Sequence, residues 1–261
     1  FSPDTAWQWV RDELDTISTR SQDPYFISEE DKRIMREELF PFWEGKSLAE
    51  ACETKLREAG LWEFGAEACV SDLTYHIASG GGDTSPGYDI ILFKKGILGV
   101  KAEAQAHLAA LSPDKEEDKS KIAFYQAELE VCEGILTYAS RLSAHARELA
   151  QKELDPQRKA ELETIAEVNA RVPANPPQTF QEALQSIWTI QSLFLMEENQ
   201  CSTSLGRIDQ YVFPCYASDM AANKISDQQA FELMGCFIIK CSEMIWYTPE
   251  FESIPACACT S

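Results

Sequence analysis

The feature that most constrains the fold of this chain is a long periodic segment at residues 114–154. Apolar side chains recur there at steps of three and four residues, which is the spacing of one face of an α-helix. These positions are Ile122, Tyr125, Leu129, Cys132, Leu136, Ala139, Leu142, Ala146 and Leu149. The pattern predicts one long helix with a buried stripe. A coiled-coil dimer would also use such a stripe, but we favour packing against other helices of the same chain.

Further helices are marked by capping boxes, in which a Ser or Thr is followed three residues later by Glu or Gln. The pairs are Ser47/Glu50, Thr179/Glu182 and Ser226/Gln229. Residues 173–177 (PANPP) predict a rigid extended linker before the second box. Strand patterns are weak and are limited to residues 201–205 and 253–261. The residue patterns therefore predict a mostly helical protein.

Composition limits the partners and the compartment. The 261 residues carry a formal net charge of −20, which argues against nucleic acid or an anionic membrane as a partner. The nine cysteines are an odd number, and several of them sit in apolar helical runs, which is typical of reduced thiols in the cytoplasm. The sequence shows no signal peptide and no membrane-spanning run. We expect the chain to be part of a longer protein, because it begins with Phe1 instead of Met and ends just after an apolar, cysteine-rich stretch.

A glycine-rich stretch at residues 79–89 (SGGGDTSPGYD) is the main candidate binding segment. Three consecutive glycines suit neither a helix interior nor a strand, so they predict a tight irregular loop that presents Asp83 and the two hydroxyl residues after it. Such loops often carry binding residues. A plain surface connection with a solvated Asp83 is the alternative.

Common catalytic and metal-binding motifs are absent from the sequence. There is no phosphate-binding glycine loop, no H-E-x-x-H and no G-x-S-x-G. The three histidines lie far apart, and Cys257 and Cys259 are too close together for a usual zinc site. We therefore predict no metal in this chain.

Three motifs carry a family resemblance: residues 40–47 (FPFWEGKS), 172–185 (VPANPPQTFQEALQ) and 204–211 (SLGRIDQY). Together they resemble the glycyl radical enzymes of the pyruvate formate-lyase-like family. The resemblance implies a helix-dominated α/β fold, in which residues 1–261 are the N-terminal portion of one such domain, built on a ten-stranded α/β barrel. Residues 1–172 would be a helical region containing the substrate loop 79–89, and residues 173–261 would be the first barrel half.

Within that family, residues 80–89 are most similar to choline trimethylamine-lyases, whereas many relatives have histidine where Asp83 stands. The resemblance makes Asp83 and Tyr75 substrate-binding residues. A quaternary ammonium has no N–H to donate, so it must be held by negative charge, oxygen atoms and aromatic faces. Asp83 would supply charge, and Tyr75 a phenolic oxygen and a ring. A core tyrosine is the alternative for Tyr75.

The reaction implied is radical C–N cleavage of choline to trimethylamine and acetaldehyde. The cofactor implied is a protein-derived glycyl radical, installed by an S-adenosylmethionine and iron–sulfur activating enzyme. The family's radical cysteine lies in a Gly-Cys-x-Glu loop, and no cysteine here has that context: Cys236 follows Gly235 but precedes Phe237-Ile238. We assign no catalytic residue to this chain, which alone is expected to be inactive.

The partners implied are choline, the activating enzyme and a second copy of the chain, in the cytoplasm or a bacterial microcompartment. One alternative function is another radical eliminase, such as a glycerol or propanediol dehydratase, against which Asp83 in place of histidine argues. The other is a non-catalytic helical module descended from the family. We expect Arg207 and Asp209 to have a structural role, pairing with each other at a strand end.

Overall fold

The computed structural model describes residues 3–21, 24–62, 83–84, 86–198 and 202–243. They belong to two compact units. The described residues of the first unit are 3–21, 24–62, 83–84, 194–198 and 202–203, and those of the second are 86–193 and 204–243. No described helix is both long and apolar enough to cross a bilayer.

The first unit begins with α1 (Pro3–Glu13) and a 3₁₀ turn (Ile17–Thr19). Next come α2 (Glu29–Ile34), a π-helical turn (Met35–Leu39), α3 (Phe40–Trp43) and α4 (Leu48–Glu58). Its core consists of Trp7, Val10, Leu14, Met35 and Phe40. Phe40 of the FPFWEGKS motif is therefore a core anchor, with its ring centroid 6.2 Å from that of Trp7.

The predicted capping box of α4 is present in full. The Ser47 hydroxyl accepts a hydrogen bond from the Glu50 N–H at 3.2 Å, and the Glu50 carboxylate accepts one from the Ser47 N–H at 3.3 Å. The same carboxylate also accepts the Gly45 N–H at 3.1 Å. Burial raises the pKa of Glu50, but the hydrogen bonds from Ser47 and Gly45 outweigh it and hold the pKa below its ordinary value.

The second unit begins with α5 (Tyr88–Ile90), a π-helical turn (Ile91–Lys95) and α6 (Gly96–Ala109). The long periodic segment then forms α7 (Glu116–Lys152), a single helix of 37 residues. It is followed by α8 (Pro156–Arg171), α9 (Phe180–Glu198, whose last residues belong to the first unit), α10 (Ile208–Tyr211), α11 (Phe213–Ala221) and α12 (Asp227–Ser242).

Helix α7 packs against α6 and α8, which confirms the prediction of packing within the chain. Its buried face is made of small residues, which let the helices approach closely. They are Cys132, Ala139, Ser143, Ala146 and Ala150. The Ser143 hydroxyl donates a 2.7 Å hydrogen bond to the Ala166 carbonyl of α8. Burial raises the pKa of the Cys132 thiol, as expected for a structural cysteine.

The proline-rich segment begins with a bend instead of the extended linker that its sequence predicts; Pro173 is buried in it, and Asn175 is exposed. The carbonyls of Pro173 and Ala174 accept hydrogen bonds from the N–H groups of Ile97 and Leu98, each at 3.0 Å. Gly96 has φ +64°, and a Cβ there would lie 2.6 Å from the Ala174 carbonyl oxygen. We call this contact the Gly96 junction. It joins the start of α6 to the bend before α9.

Helix α9 is central to the second unit, as its apolar sequence predicts. Ile187 and Thr189 are fully buried, and the predicted Thr179 cap accepts the Glu182 N–H at 3.2 Å. The buried Asp219 of α11 accepts the Phe180 N–H at 2.8 Å, so a carboxylate satisfies the first turn of the helix.

Within the described part of the chain, the strands are β1 (Asp83–Thr84) and β2 (Ser202–Thr203), which form one parallel pair. The helix-dominated character of the predicted fold is thus confirmed, whereas its strand content in the described residues is limited to this one pair of two-residue strands. Apart from β2, the regular elements in the described portion of the predicted barrel half 173–261 are helices. The capping boxes and the spacing of apolar residues by three and four explain why. Residues 253–261, which we predicted as a strand, lie outside the described residues.

Candidate functional site

Of the two predicted substrate-binding residues, only Asp83 is among the residues that the structure describes. Tyr75 lies outside the described residues. Asp83 is the first residue of β1, so the stretch that we predicted to be all loop contains a short strand. The loop also ends earlier than residue 89, because α5 begins at Tyr88.

The β1–β2 pair brings together two segments that are far apart in the sequence. In its register, Asp83 is the partner of Ser202 and Thr84 is the partner of Thr203. Partner residues on neighbouring strands lie about 5 Å apart. The pair therefore sets a carboxylate residue beside a hydroxyl residue at the end of the glycine-rich stretch. The sequence suggested a strand near residues 201–205 and singled out Asp83, but strands of two residues carry no periodic signal that could reveal their pairing.

A buried tyrosine begins α5, shortly after β1 in the chain. Gly87 adopts φ +68°, a conformation that favours glycine, and Tyr88 directly after it is buried. The Tyr88 hydroxyl has no hydrogen-bond partner among the described residues. Burial raises the pKa of Tyr88, and the neighbouring Tyr211 and Cys241 add to the effect. Tyr88 therefore stays a neutral phenol at any physiological pH.

The turn after β2 is closed by side chains of the SLGRIDQY motif. The Tyr211 hydroxyl donates a 2.7 Å hydrogen bond to the Leu205 carbonyl, and the Gly206 N–H donates to the Ser204 hydroxyl at 3.2 Å. The Tyr211 ring packs edge-on against Phe93, with centroids 5.0 Å apart. Burial also raises the pKa of Tyr211. These contacts give the motif a structural role in fixing the turn.

Arg207 and Asp209 form the predicted pair with each other. The guanidinium donates two hydrogen bonds to the carboxylate, at 3.1 and 3.0 Å, and these lower the pKa of Asp209. Both side chains are exposed, however, and they precede or begin α10 instead of ending a buried strand. Because the pair is exposed, its contribution to stability is small.

Metal and disulfide chemistry find no support in the described residues. No cluster of three or more potential metal ligands occurs among them. The described cysteines Cys52, Cys132, Cys215, Cys236 and Cys241 are free thiols. Burial raises the pKa of the Cys215 and Cys241 thiols, which lowers their reactivity.

Comparison with known proteins decides the family. The model of the family described as pyruvate formate lyase-like matches residues 1–257. The chain belongs to this family. The prediction made from the three sequence motifs is thus confirmed, and the helical structure matches the N-terminal part of glycyl radical enzyme structures.

The enzymes that are similar to this pyruvate formate lyase-like chain include a sulfite-lyase and dehydratases. The isethionate sulfite-lyase of Desulfovibrio desulfuricans is 37% identical over 246 residues, which are 88% of this chain and 28% of the relative. The B12-independent glycerol dehydratase of Clostridium butyricum has a TM-score of 0.80 at 30% identity, covering 97% of this chain and 31% of that protein. A structure for 1,2-propanediol dehydration in Roseburia inulinivorans has a TM-score of 0.80 at 29% identity, with 97% and 31% coverage.

None of these three proteins is a choline lyase, so they do not support the prediction of choline as the substrate. The chain spans 28% of the length of the sulfite-lyase. The family consists of enzymes that use a glycyl radical installed by an activating enzyme, and its members similar to this chain are lyases and dehydratases. The reaction of the whole protein is a separate question.

Proposed function

We propose that the protein carrying this chain is a glycyl radical eliminase for a small substrate with a hydroxyl group on one carbon and a leaving group on the next. Isethionate, glycerol and 1,2-propanediol, which appear in the names of the similar proteins, all have this arrangement. Their leaving groups are sulfite or water. The glycyl radical of the family supplies hydrogen-atom abstraction, and we assign none of the groups that carry it to this chain.

The observation that carries the proposal is the register of the β1–β2 pair, in which Asp83 is the partner of Ser202. An ionised carboxylate accepts hydrogen bonds from several donors, and a serine hydroxyl both donates and accepts. Adjacent residues of these two types suit a substrate with neighbouring hydroxyl groups. In this proposal Asp83 accepts hydrogen bonds from the substrate hydroxyls, and Ser202 helps to orient them.

The charge of Asp83 argues against a sulfonate substrate. Two unit charges of the same sign about 4 Å apart repel by about 4 kcal/mol at an effective dielectric constant of about 20. That corresponds to roughly a thousandfold in affinity. We therefore propose a neutral vicinal diol, which loses water and becomes an aldehyde without net oxidation or reduction, in preference to isethionate. We give less weight to our sequence-based argument that Asp83 in place of histidine disfavours a diol dehydratase, because the glycerol dehydratase and the 1,2-propanediol structure are similar to 97% of this chain.

Choline is the second candidate, and Asp83 is the specific residue that favours it. A nearby carboxylate attracts a quaternary ammonium about as strongly as it repels a sulfonate at the same distance. The products would be trimethylamine and acetaldehyde. Tyr75, which lies outside the described residues, stays part of this hypothesis as a source of a phenolic oxygen and an aromatic face.

The test is substrate turnover by the full-length protein after anaerobic activation. Glycerol, 1,2-propanediol, choline and isethionate are offered separately, and aldehyde, trimethylamine and sulfite are measured. Aldehyde from a diol supports dehydration, and trimethylamine supports the choline alternative. Sulfite release from isethionate would contradict the charge argument. If electron paramagnetic resonance shows no glycyl radical after activation, the non-catalytic helical module is the better interpretation.

Three variants test the assignment of the site. Asp83→Asn removes the charge but keeps the shape, and we expect kcat/KM to fall about tenfold or more for a diol, because a charged acceptor is lost. The loss should be larger for choline, since the ammonium loses its counter-charge. Asp83→His should impair choline turnover most. Ser202→Ala should raise KM more than it lowers kcat if Ser202 acts mainly in binding.

A further inference from the structure

A second apolar stripe runs along α7, beside the buried face that packs on α6 and α8. Phe124 and Val131 are 64% and 61% exposed, and Leu149 is 41% exposed. Ile135, Tyr138 and Leu142 complete the stripe and are half-buried. It spans 25 residue steps, or about 38 Å at 1.5 Å per residue. None of these side chains belongs to the site around Asp83.

The spacing of this stripe is that of a coiled-coil seam. Phe124, Val131 and Tyr138 are seven residues apart, as are Ile135, Leu142 and Leu149. The two sets alternate at steps of four and three residues, so the first set occupies d positions and the second a positions of a heptad repeat. The two seam positions that interrupt the apolar run are polar. They are Glu128, at an a position, and His145, at a d position.

The seam is symmetric about its own centre. The pairs Phe124/Leu149, Val131/Leu142 and Ile135/Tyr138 are all centred on the same point, midway between residues 136 and 137. The polar pair Glu128/His145 has the same centre. Each pair joins an a position to a d position, which is how the layers of an antiparallel coiled coil are made. An antiparallel copy of α7 would therefore meet apolar residues at every apolar layer and the opposite polar residue at both polar layers.

The charges of α7 favour the same orientation. From residue 116 to 136, six carboxylates outnumber two lysines, whereas from 137 to 152 two arginines and a lysine outnumber one carboxylate. Antiparallel pairing sets the acidic half of one helix against the basic half of the other, and parallel pairing would oppose like charges. Arg141, at a g position, flanks the seam on one side and makes no ion pair among the described residues.

We propose that this face of α7 binds the same face of α7 in a second copy of the chain. The two helices run antiparallel about a two-fold axis near residues 136 and 137. Such an interface is isologous, so each favourable layer occurs twice. The layers of Glu128 against His145 fix the register, because a shifted pairing would place these polar groups against apolar side chains.

The decisive experiment is a charge exchange across the polar layer of the full-length protein, measured as a dimer dissociation constant by analytical ultracentrifugation. His145→Glu sets a carboxylate against the partner's Glu128, and we expect the constant to rise at least about tenfold. Adding Glu128→Lys to this variant should restore the constant to within about threefold of wild type. Ala144→Glu, which adds the same charge at the exposed neighbouring position away from the seam, should change nothing.

Three results would overturn the proposal. One is a protein that stays monomeric at all concentrations. Another is a dimer that is indifferent to both His145→Glu and Val131→Glu. The third is a double variant whose dimer dissociation constant does not recover. In a parallel pair the double variant would place Lys against Lys and Glu against Glu. If another segment of the same polypeptide covered this face, the charge exchange would restore nothing. His145 and Val131 are exposed, so circular dichroism should show unchanged folding of each variant.

Discussion

The Gly96 junction and the β1–β2 pair both join distant segments through backbone groups, but they constrain the sequence in opposite ways. At the junction, Ile97 and Leu98 bond to the proline-rich bend, and the backbone of Asn175 would lie 2.8 Å from a Cβ on Gly96. Only glycine fits there. Strands pair through main-chain hydrogen bonds, so the β1–β2 pairing does not require the residue types of Asp83 and Ser202. Packing therefore requires the residue type at position 96, whereas strand pairing leaves the residue type at position 83 free to serve substrate binding.

The largest effect should come from filling the Gly96 junction. Gly96→Ala combines a positive φ with backbone atoms closer than any Cβ tolerates, so we expect the free energy of unfolding to fall by about 3 kcal/mol or more. Urea denaturation measures it. Gly235→Ala is the matched control: this helical glycine has nothing within 4 Å of its Cβ position, and the change should stabilise by about 0.5–1 kcal/mol. Equal effects of the two substitutions would contradict the steric argument.

A smaller loss is expected where a side chain, not the backbone, makes the connection. Asp219→Ala removes the acceptor of the Phe180 N–H, so a buried donor is left without a partner, at a cost of about 2 kcal/mol. Asp219→Asn keeps an oxygen acceptor and should cost about half as much. Lys224, whose ammonium is 3.7 Å from the carboxylate, is exposed, so Lys224→Ala should change stability by less than about 0.5 kcal/mol. Thermal or urea unfolding ranks the three variants.

The helices could be predicted from the sequence because their signals are local. Apolar spacing gave α7 to within two residues at each end, and the capping boxes at Ser47, Thr179 and Ser226 all form. The Gly96 junction and the β1–β2 pair could not be predicted, since each depends on segments that only the tertiary fold brings together. The division of α7 into two stripes was not predicted: we assigned Leu142 and Leu149 to the buried stripe, but Leu142 is half-buried and Leu149 is 41% exposed. The small residues beside them form the face that packs on α6 and α8 instead.

The cap of α4 should have an effect of intermediate size that depends on pH. Ser47→Ala should lower the free energy of unfolding by about 1 kcal/mol, because the Glu50 N–H loses its acceptor. The pKa of Glu50 is lower in the folded state than its ordinary value. Its contribution is therefore complete above the unfolded-state pKa of about 4.3 and is lost as pH falls through the folded-state value. Unfolding measured between about pH 7 and pH 3 should show a shallower decline for Glu50→Gln than for wild type. Parallel profiles would mean that Glu50 contributes nothing.

The smallest effect on stability should be at Asp83. Because strand pairing uses backbone groups, Asp83→Asn should change the free energy of unfolding by less than about 0.5 kcal/mol. The same substitution is expected to reduce turnover strongly. Asp83→Asn should therefore lower activity without lowering stability, whereas Gly96→Ala should lower both. The measurement is urea unfolding of Asp83→Asn beside wild type, with turnover from the same preparations. A loss of stability as large as that of Gly96→Ala would make Asp83 a structural residue, and the proposed substrate site would have to be sought elsewhere in the protein.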